Sequence, residues 1–236
     1  MTPYYSQDGI TIFLGDCRDI LPTLAPGDAN ALVTDPPFGI DFSGATWTDE
    51  PVDYCEFMQA WLPQAQRIVG GGPMFVWQAL PTIERWHTWF PPGYRVMAIC
   101  KGFVQFRPTP VQYSWDPVVF WGELKGEPDV RRKDWYVQAL APFGANRPHI
   151  DHPCPKPLEA TGYVVSLASQ MGDTILEPFA GSGTTLIAAK RLGRKVIAVE
   201  KREEYAEIAA NRLAQTVLPL PDAEPERATT LALEEA

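Results

Sequence analysis

Apolar residues in this chain fall into short runs, each cut by a turn signal, and longer stretches of helical spacing lie between them. Ile10–Leu14 is a strand-like run that ends in Gly15-Asp16, and Asn30–Thr34 is a second that meets Asp35-Pro36-Pro37-Phe38-Gly39. Pro37 donates no ladder hydrogen bond and Pro36 holds Asp35 extended, so that strand stops with Asp35 at its carboxyl end. Pro73–Trp77, Arg95–Cys100, Pro117–Trp121, Thr174–Glu177 and Lys195–Val199 also read as strands. Residues 51–69 carry Tyr54, Phe57, Met58, Trp61 and Leu62 on one helical face, and Gly70-Gly71-Gly72 closes that helix. Further helices are predicted at Thr82–Phe90, Leu158–Gln170, Thr184–Leu192 and from Glu203 to Leu213, the last with Tyr205, Ile208, Ala209 and Leu213 inward.

Strands alternating with helices predict an α/β fold: a doubly wound, mostly parallel sheet of the Rossmann-like kind with a short insertion. In such folds ligands bind beyond the carboxyl ends of the strands. Four of the expected strands end at an acid: Asp16, Asp35, Glu177 and Glu200. Four acids on one sheet rim are the central expectation. Residues 1–218 are expected to form one domain, with an insertion at about 101–150, and 219–236 an acidic, flexible tail.

Composition narrows the class. At 236 residues and 45% apolar content, the chain suits one globular domain rather than a disordered segment. It has no apolar run long enough for a membrane span and no secretory leader pattern, which predicts a cytoplasmic protein. Cys17, Cys55, Cys100 and Cys154 are scattered, and His87, His149 and His152 do not cluster with them, so reduced thiols and no metal site are expected. The 24 prolines are about twice the usual ~5% share, and half lie between Pro81 and Pro157, which predicts irregular structure there. The net charge of −9 argues against a polyanion partner until its distribution is considered. Residues 84–156 carry ten Lys/Arg against seven Asp/Glu, whereas the last sixteen residues contribute five acids and one arginine. The middle of the chain is therefore open to a nucleic-acid partner.

The segment Glu177-Pro-Phe-Ala-Gly181-Ser-Gly183-Thr184-Thr185 joins a strand, a glycine turn and a helix start, where a ligand can approach backbone N–H groups closely. Its spacing fits neither a dinucleotide nor a Walker-type phosphate loop. Glu200, at the end of the next strand, is placed to accept both hydroxyl protons of a ribose, which favours an adenosine-containing ligand. Taken singly, each feature has a plainer reading: a tight turn, a solvated strand end, and, for Asp16, a cap on a short helix near Ile20.

Asp35-Pro-Pro-Phe38 and the Glu177–Thr185 segment resemble the two signatures of S-adenosylmethionine-dependent amino-methyltransferases acting on DNA. His152-Pro-Cys-Pro-Lys-Pro157 and Gly15-Asp16-Cys17 are similar to segments of the permuted (beta-type) class, in which the catalytic motif precedes the cofactor motif. The resemblance covers residues 10–39 and 150–214 well and the middle loosely. It implies S-adenosyl-L-methionine as cofactor, with Asp16 on the adenine amine, Cys17 nearby and Glu200 on the ribose. Phe179, Gly181 and the helix start at Thr184 and Thr185 would enclose its methionine portion. Ala180, Ser182, Gly183, Glu177, Asp35 and Lys156 are further expected cofactor contacts, although a proline-rich connector without ligand contact explains His152 and Lys156 equally well. Glu177 stands where many relatives have Asp, and Phe38 where many have Tyr.

The resemblance makes Asp35, Pro36, Pro37 and Phe38 the catalytic segment. An exocyclic base amine is a poor nucleophile, and two rigid acceptors, the Asp35 carboxylate and the Pro36 carbonyl, would orient its lone pair. Phe38 would stack on a base turned out of the duplex. Double-stranded DNA is the expected partner, with Arg107, Arg131, Arg132 and Lys133 as phosphate contacts, although a solvated basic loop explains these residues equally well. Adenine N6 is the favoured target and cytosine N4 the alternative. A methyltransferase for a non-DNA amine and a non-catalytic binding module also stay open, as do a homodimer and a cognate restriction enzyme.

Overall fold

The computed structural model describes residues 2–38, 54–105, 113–124, 132–138 and 156–215. Its strands are β1 (Tyr5–Gln7), β2 (Ile10–Leu14), β3 (Ala31–Thr34), β4 (Met74–Trp77), β5 (Arg95–Gln105), β6 (Tyr113–Trp121), β7 (Trp135–Val137), β8 (Thr174–Glu177) and β9 (Lys195–Glu200). Its helices are α1 (Cys17–Ile20), α2 (Tyr54–Val69), α3 (Leu158–Ala168), α4 (Thr184–Arg191) and α5 (Glu203–Ala214). All nine strands form one sheet in the order β1-β2-β9-β8-β3-β4-β6-β5-β7. The five central strands, β2-β9-β8-β3-β4, run parallel, and β6 is antiparallel to both its neighbours. This is the doubly wound, mostly parallel α/β sheet expected, completed by short edge strands.

Strand alternation explains the two layers that cover the sheet. Ala31, Val33, Ile175, Val196 and Ala198 face one way and are covered by α3, α4 and α5. Leu32, Met74, Val76, Leu176 and Val199 face the other way and pack on α1 and α2. Tyr54, Met58, Trp61 and Leu62 of α2 are buried there as its periodicity predicts, and Phe57 is partly buried.

Some expected elements differ. The helix expected at Thr82–Phe90 is a 3-10 helix spanning Leu80–Thr88, started at Pro81. The strands expected at Arg95–Cys100 and Pro117–Trp121 are longer, β1 and β7 have too little apolar patterning to read, and α1 is the short helix near Ile20 given as the plainer reading of Asp16. In α5 the buried residues are Ala206, Ala209 and Leu213, while Tyr205 and Ile208 are only partly covered. Small residues are needed on that face because α5 runs against the glycine turn: a Cβ on Gly183 would lie 2.9 Å from the Ala209 Cβ. Most of the insertion at about 101–150 and the tail 219–236 lie outside the described residues. Among the described residues no helix is long and apolar enough to cross a membrane.

Gly72 joins α2 to β4 where the chain passes β3, and a Cβ there would sit 2.0 Å from the Asn30 carbonyl oxygen. Backbone cannot yield as a side-chain tip does, so Gly72→Ala should cost about 3 kcal/mol. For a chain of this size that lowers the thermal midpoint by roughly 6–12 °C. Differential scanning calorimetry checks this; an unchanged midpoint would contradict the packing described.

Candidate active site

Because β2, β9, β8 and β3 are adjacent and parallel, their carboxyl ends share one edge of the sheet. Along that edge stand Asp16, Glu200, Glu177 and Asp35, in that spatial order. The connection from β8 through α4 leads to β9, and the one from β3 through α2 leads to β4 on the other side. Chain paths therefore diverge between β8 and β3, and in open α/β sheets the ligand crevice lies beyond the strand ends at such a point. Glu177 and Asp35 flank it.

Each acid is satisfied differently. Glu177 is 1% exposed and accepts hydrogen bonds from the Thr34 hydroxyl and, at 3.1 Å, from the Phe179 N–H. Burial dominates and pushes its carboxyl up to about 8, against the opposing pull of the Thr34 and Thr185 hydroxyls and the Phe179 N–H. Thr34 is thus a site residue that sequence reading missed; its only signal was its place at a strand end directly before Asp35. Glu200 is buried, and its two oxygens accept the N–H groups of Gly181 (2.7 Å) and Arg202 (2.9 Å). Its carboxyl is shifted up by burial, with these N–H donors acting in the opposite direction. Each carboxylate oxygen has two acceptor sites, so Glu200 can still receive a further donor on each.

Asp16 caps α1 by accepting the Arg18 N–H at 3.0 Å, so the plainer capping reading is present in the fold. The Arg18 guanidinium also grips both carboxylate oxygens, at 2.9 and 2.7 Å, and Lys201 lies 3.3 Å away. The Arg18 fork holds the Asp16 carboxyl well below the usual carboxylate range. Cys17 beside it is buried, and burial pushes its thiol up to about 12, so it stays protonated and unreactive.

Asp35 forms an ion pair of 2.7 Å with Lys156 through Oδ2. Its Oδ1 is buried and finds no hydrogen-bond partner among the described residues. Burial raises the Asp35 carboxyl, Lys156 draws it down, and the charge of Asp116 on β6 raises it again. The Lys156 ammonium lies 4.9 Å from the centre of the Phe38 ring. Phe38 is partly buried against the α3 side of the core. The sequence reading placed Lys156 around a cofactor, whereas the structure pairs it with the diproline corner.

The turn after β8 is built by Gly181 and Gly183, at φ 51° and 81°, in the left-handed region that favours glycine. Arg212 of α5 donates to the Ser182 carbonyl and to its hydroxyl, which fixes the turn from behind. Ala180 donates to the Val199 carbonyl at 2.9 Å, and Thr184 and Thr185 open α4. Phe179 is packed edge-on against Trp61 at 5.0 Å and against Phe57. Its ring is therefore shared between the rim and the α2 core.

Of the predicted DNA contacts, Arg132 and Lys133 are not drawn to this rim. Arg132 donates to the Ser166 carbonyl at 3.1 Å and Lys133 lies over Trp135 at 4.5 Å. Ser166 is eight residues along α3 from Leu158, or roughly 12 Å at 1.5 Å per residue. Lys156 and Asp35 stand at the opposite, N-terminal end of that helix. Arg107 and Arg131 lie outside the described residues.

Residues 119–211 match the N6_N4 family described as DNA methylase, a span that includes the glycine turn, Glu177 and Glu200. Among individual proteins, the type II methyltransferase M.ScaI of Streptomyces caespitosus is 24% identical over 260 residues, covering 89% of this chain and 83% of that protein. The crystal structure of the M1.HpyAVI–SAM complex superposes with a TM-score of 0.67 at 20% identity, covering 86% of this chain and 98% of that one. PvuII DNA methyltransferase, described as cytosine-N4-specific, superposes with a TM-score of 0.68 at 16% identity, covering 89% and 88%. The Rossmann-like fold is common to all three structures.

The Glu177 carboxyl makes folding depend on pH in a definite direction. Its folded value of about 8 lies above the ordinary 4.5, so the native state binds a proton that the unfolded chain releases. That contribution is complete below about pH 4.5 and is lost as the pH rises towards 8, by at most ~1.4 kcal/mol per pH unit. Urea unfolding of the parent and Glu177→Gln at several pH values between 5 and 8 should show the parent losing stability relative to the variant. A difference that does not change with pH would contradict the assignment.

Proposed function

We propose that this chain is an S-adenosylmethionine-dependent DNA methyltransferase acting on an exocyclic base amine, with adenine N6 as the target. One observation carries the reading: a buried carboxylate oxygen, Asp35 Oδ1, without a partner among the described residues, beside the crevice of a sheet whose rim bears the glycine turn and Glu200. The match to the DNA methylase family and the likeness to M.ScaI support it.

The residues present fit the cofactor. Glu200 keeps acceptor capacity on both oxygens, which suits two ribose hydroxyls. The turn at Gly181 and Gly183 takes left-handed backbone, and Thr184 and Thr185 at the start of α4 suit a carboxylate near the positive end of a helix. Asp16 would serve the adenine amine by exchanging part of its contact with the exposed Arg18. When bound, S-adenosylmethionine supplies a methyl group on a positively charged sulfur, which is left as a neutral thioether once the methyl has passed to the amine.

The chain's own part is positioning. Asp35 Oδ1 accepts one amine N–H and the Pro36 carbonyl accepts the other, so the nitrogen lone pair is turned away from the ring and towards the crevice. Pro36 and Pro37 restrict the backbone that carries both acceptors. Phe38 offers a flat apolar face for a base turned out of the duplex. After transfer the amine sheds one proton, for which Oδ1 is the nearest acceptor on the way to solvent. Arg132 and Lys133, which lie away from the rim, are proposed to meet phosphates, as are Arg107 and Arg131. Cytosine N4 is the second reading, favoured by the likeness to the cytosine-N4-specific PvuII enzyme.

Asp35→Asn keeps the shape and removes the anionic acceptor. It should lower methyl transfer to DNA by roughly 10²–10³-fold. Affinity for S-adenosylmethionine should stay within about threefold, since uniform binding is untouched. Enzymatic digestion of methylated DNA followed by mass spectrometry reads both rate and product. N6-methyladenine supports the primary reading and N4-methylcytosine the second. Unaltered transfer by Asp35→Asn would remove Asp35 from the mechanism.

A further inference from the structure

We propose that Lys156 is a positioning residue for Asp35: its ammonium occupies Oδ2 and lies against the Phe38 ring, so the carboxylate is left to present Oδ1 to a substrate amine. The inference deepens the reading of the site given above and rests on it for the identity of the amine.

The geometry is specific. Lys156 precedes Pro157, the residue that opens α3, and the Pro157 carbonyl accepts both the Thr161 N–H (3.0 Å) and the Thr161 hydroxyl (2.8 Å). The first turn of α3 therefore fixes where the Lys156 backbone stands. Its side chain is only 13% exposed, and its ammonium lies 2.7 Å from the Asp35 carboxylate. A carboxylate with both oxygens open could rotate about its last bond and offer either one. With Oδ2 held, the remaining oxygen has one direction.

The second contact couples that direction to the ring. An ammonium 4.9 Å from the Phe38 centroid is within cation–π range, so one cation touches both the acceptor of the amine and the Phe38 ring. Acid and ring are then registered to each other through a residue far away in the chain.

Electrostatics supports a second consequence of the same contact. Besides Lys156, the groups among the described residues that bear on Asp35 are Asp116 of β6 and Glu177 of β8. Asp116 is itself paired with Lys101 of β5 at 2.8 Å. Burial and the Asp116 charge favour the protonated acid, and Lys156 is the cation that opposes them. Removing it should push the Asp35 titration upward. A protonated Asp35 would be a donor where an acceptor is needed.

The test uses the full chain and needs no bound cofactor for its first arm. In carboxyl-13C aspartate-labelled protein, with the Asp35 signal assigned through Asp35→Asn, Lys156→Met should move the Asp35 inflection upward by about one pH unit or more. Lys156→Arg, which retains the cation, should leave it within about half a unit. In the second arm, Lys156→Met should lower kcat at pH 7 about tenfold or more and regain part of it above the new inflection. KM for S-adenosylmethionine should change less than threefold, and Lys156→Arg should rescue kcat. An unmoved inflection overturns the proposal, as does a raised KM with unchanged kcat, the pattern of a cofactor-holding lysine. If Lys156→Met does not fold, the parent's Lys156 side-chain signals must show the Asp35 inflection and lose it in Asp35→Asn; their indifference overturns the proposal equally. A parent that methylates no DNA would sink the functional reading, while the titration arm would still decide the role of Lys156.

Discussion

Parallel pairing at the centre of the sheet is the constraint from which the site follows. Four neighbouring strands, β2, β9, β8 and β3, run in one direction, so whatever residue follows each of them arrives at the same edge. Between β8 and β3 the crossovers depart to opposite sides of the sheet, the kind of point at which open α/β sheets bind ligands beyond the strand ends. The glycine turn and the diproline corner are the first residues after those strands. Their apposition is thus a property of topology before it is one of side-chain chemistry.

Gathering four acids on one edge has an electrostatic cost, and the structure meets it in four ways. Asp16 takes an arginine fork at the surface, Glu200 takes two backbone N–H donors, Glu177 is held towards its neutral form by burial, and Asp35 takes a lysine. Only the last arrangement leaves a buried oxygen unused among the described residues. A buried acceptor without a donor is unfavourable for folding alone. Its presence at the crevice is what a site reserved for a substrate donor would show, since function is where local rules of satisfaction are relaxed.

Much of this was legible in the sequence because each central strand is an apolar run cut by an acid and a turn. That pattern located Asp16, Asp35, Glu177 and Glu200 at strand ends, and helix periodicity found the buried face of α2. Strand order was not legible, since β8 and β3 are separated by most of the chain; the Thr34–Glu177 hydrogen bond spans 143 residues. The inward face of α5 was read in part: Ala209 and Leu213 are buried as expected, whereas Ala206 takes the place of Tyr205 and Ile208, on a helix that Gly183 approaches closely at Ala209. Lys156 was placed from its neighbours in sequence, and its ion pair with Asp35, 121 residues away in the chain, was not legible there. For Asp16 the modest reading and the functional one are compatible, because a carboxylate that caps a helix stands at the strand end in either case.

The measurement closest to the central claim is a crystal structure of the full chain grown with sinefungin, a stable amine analogue of S-adenosylmethionine. The account predicts the ribose on Glu200 and the amine that replaces the sulfonium methyl in the crevice between the Gly181 turn and Asp35 Oδ1. An analogue seated elsewhere, or a crevice closed by side chains between Asp35 and Gly181, would contradict it.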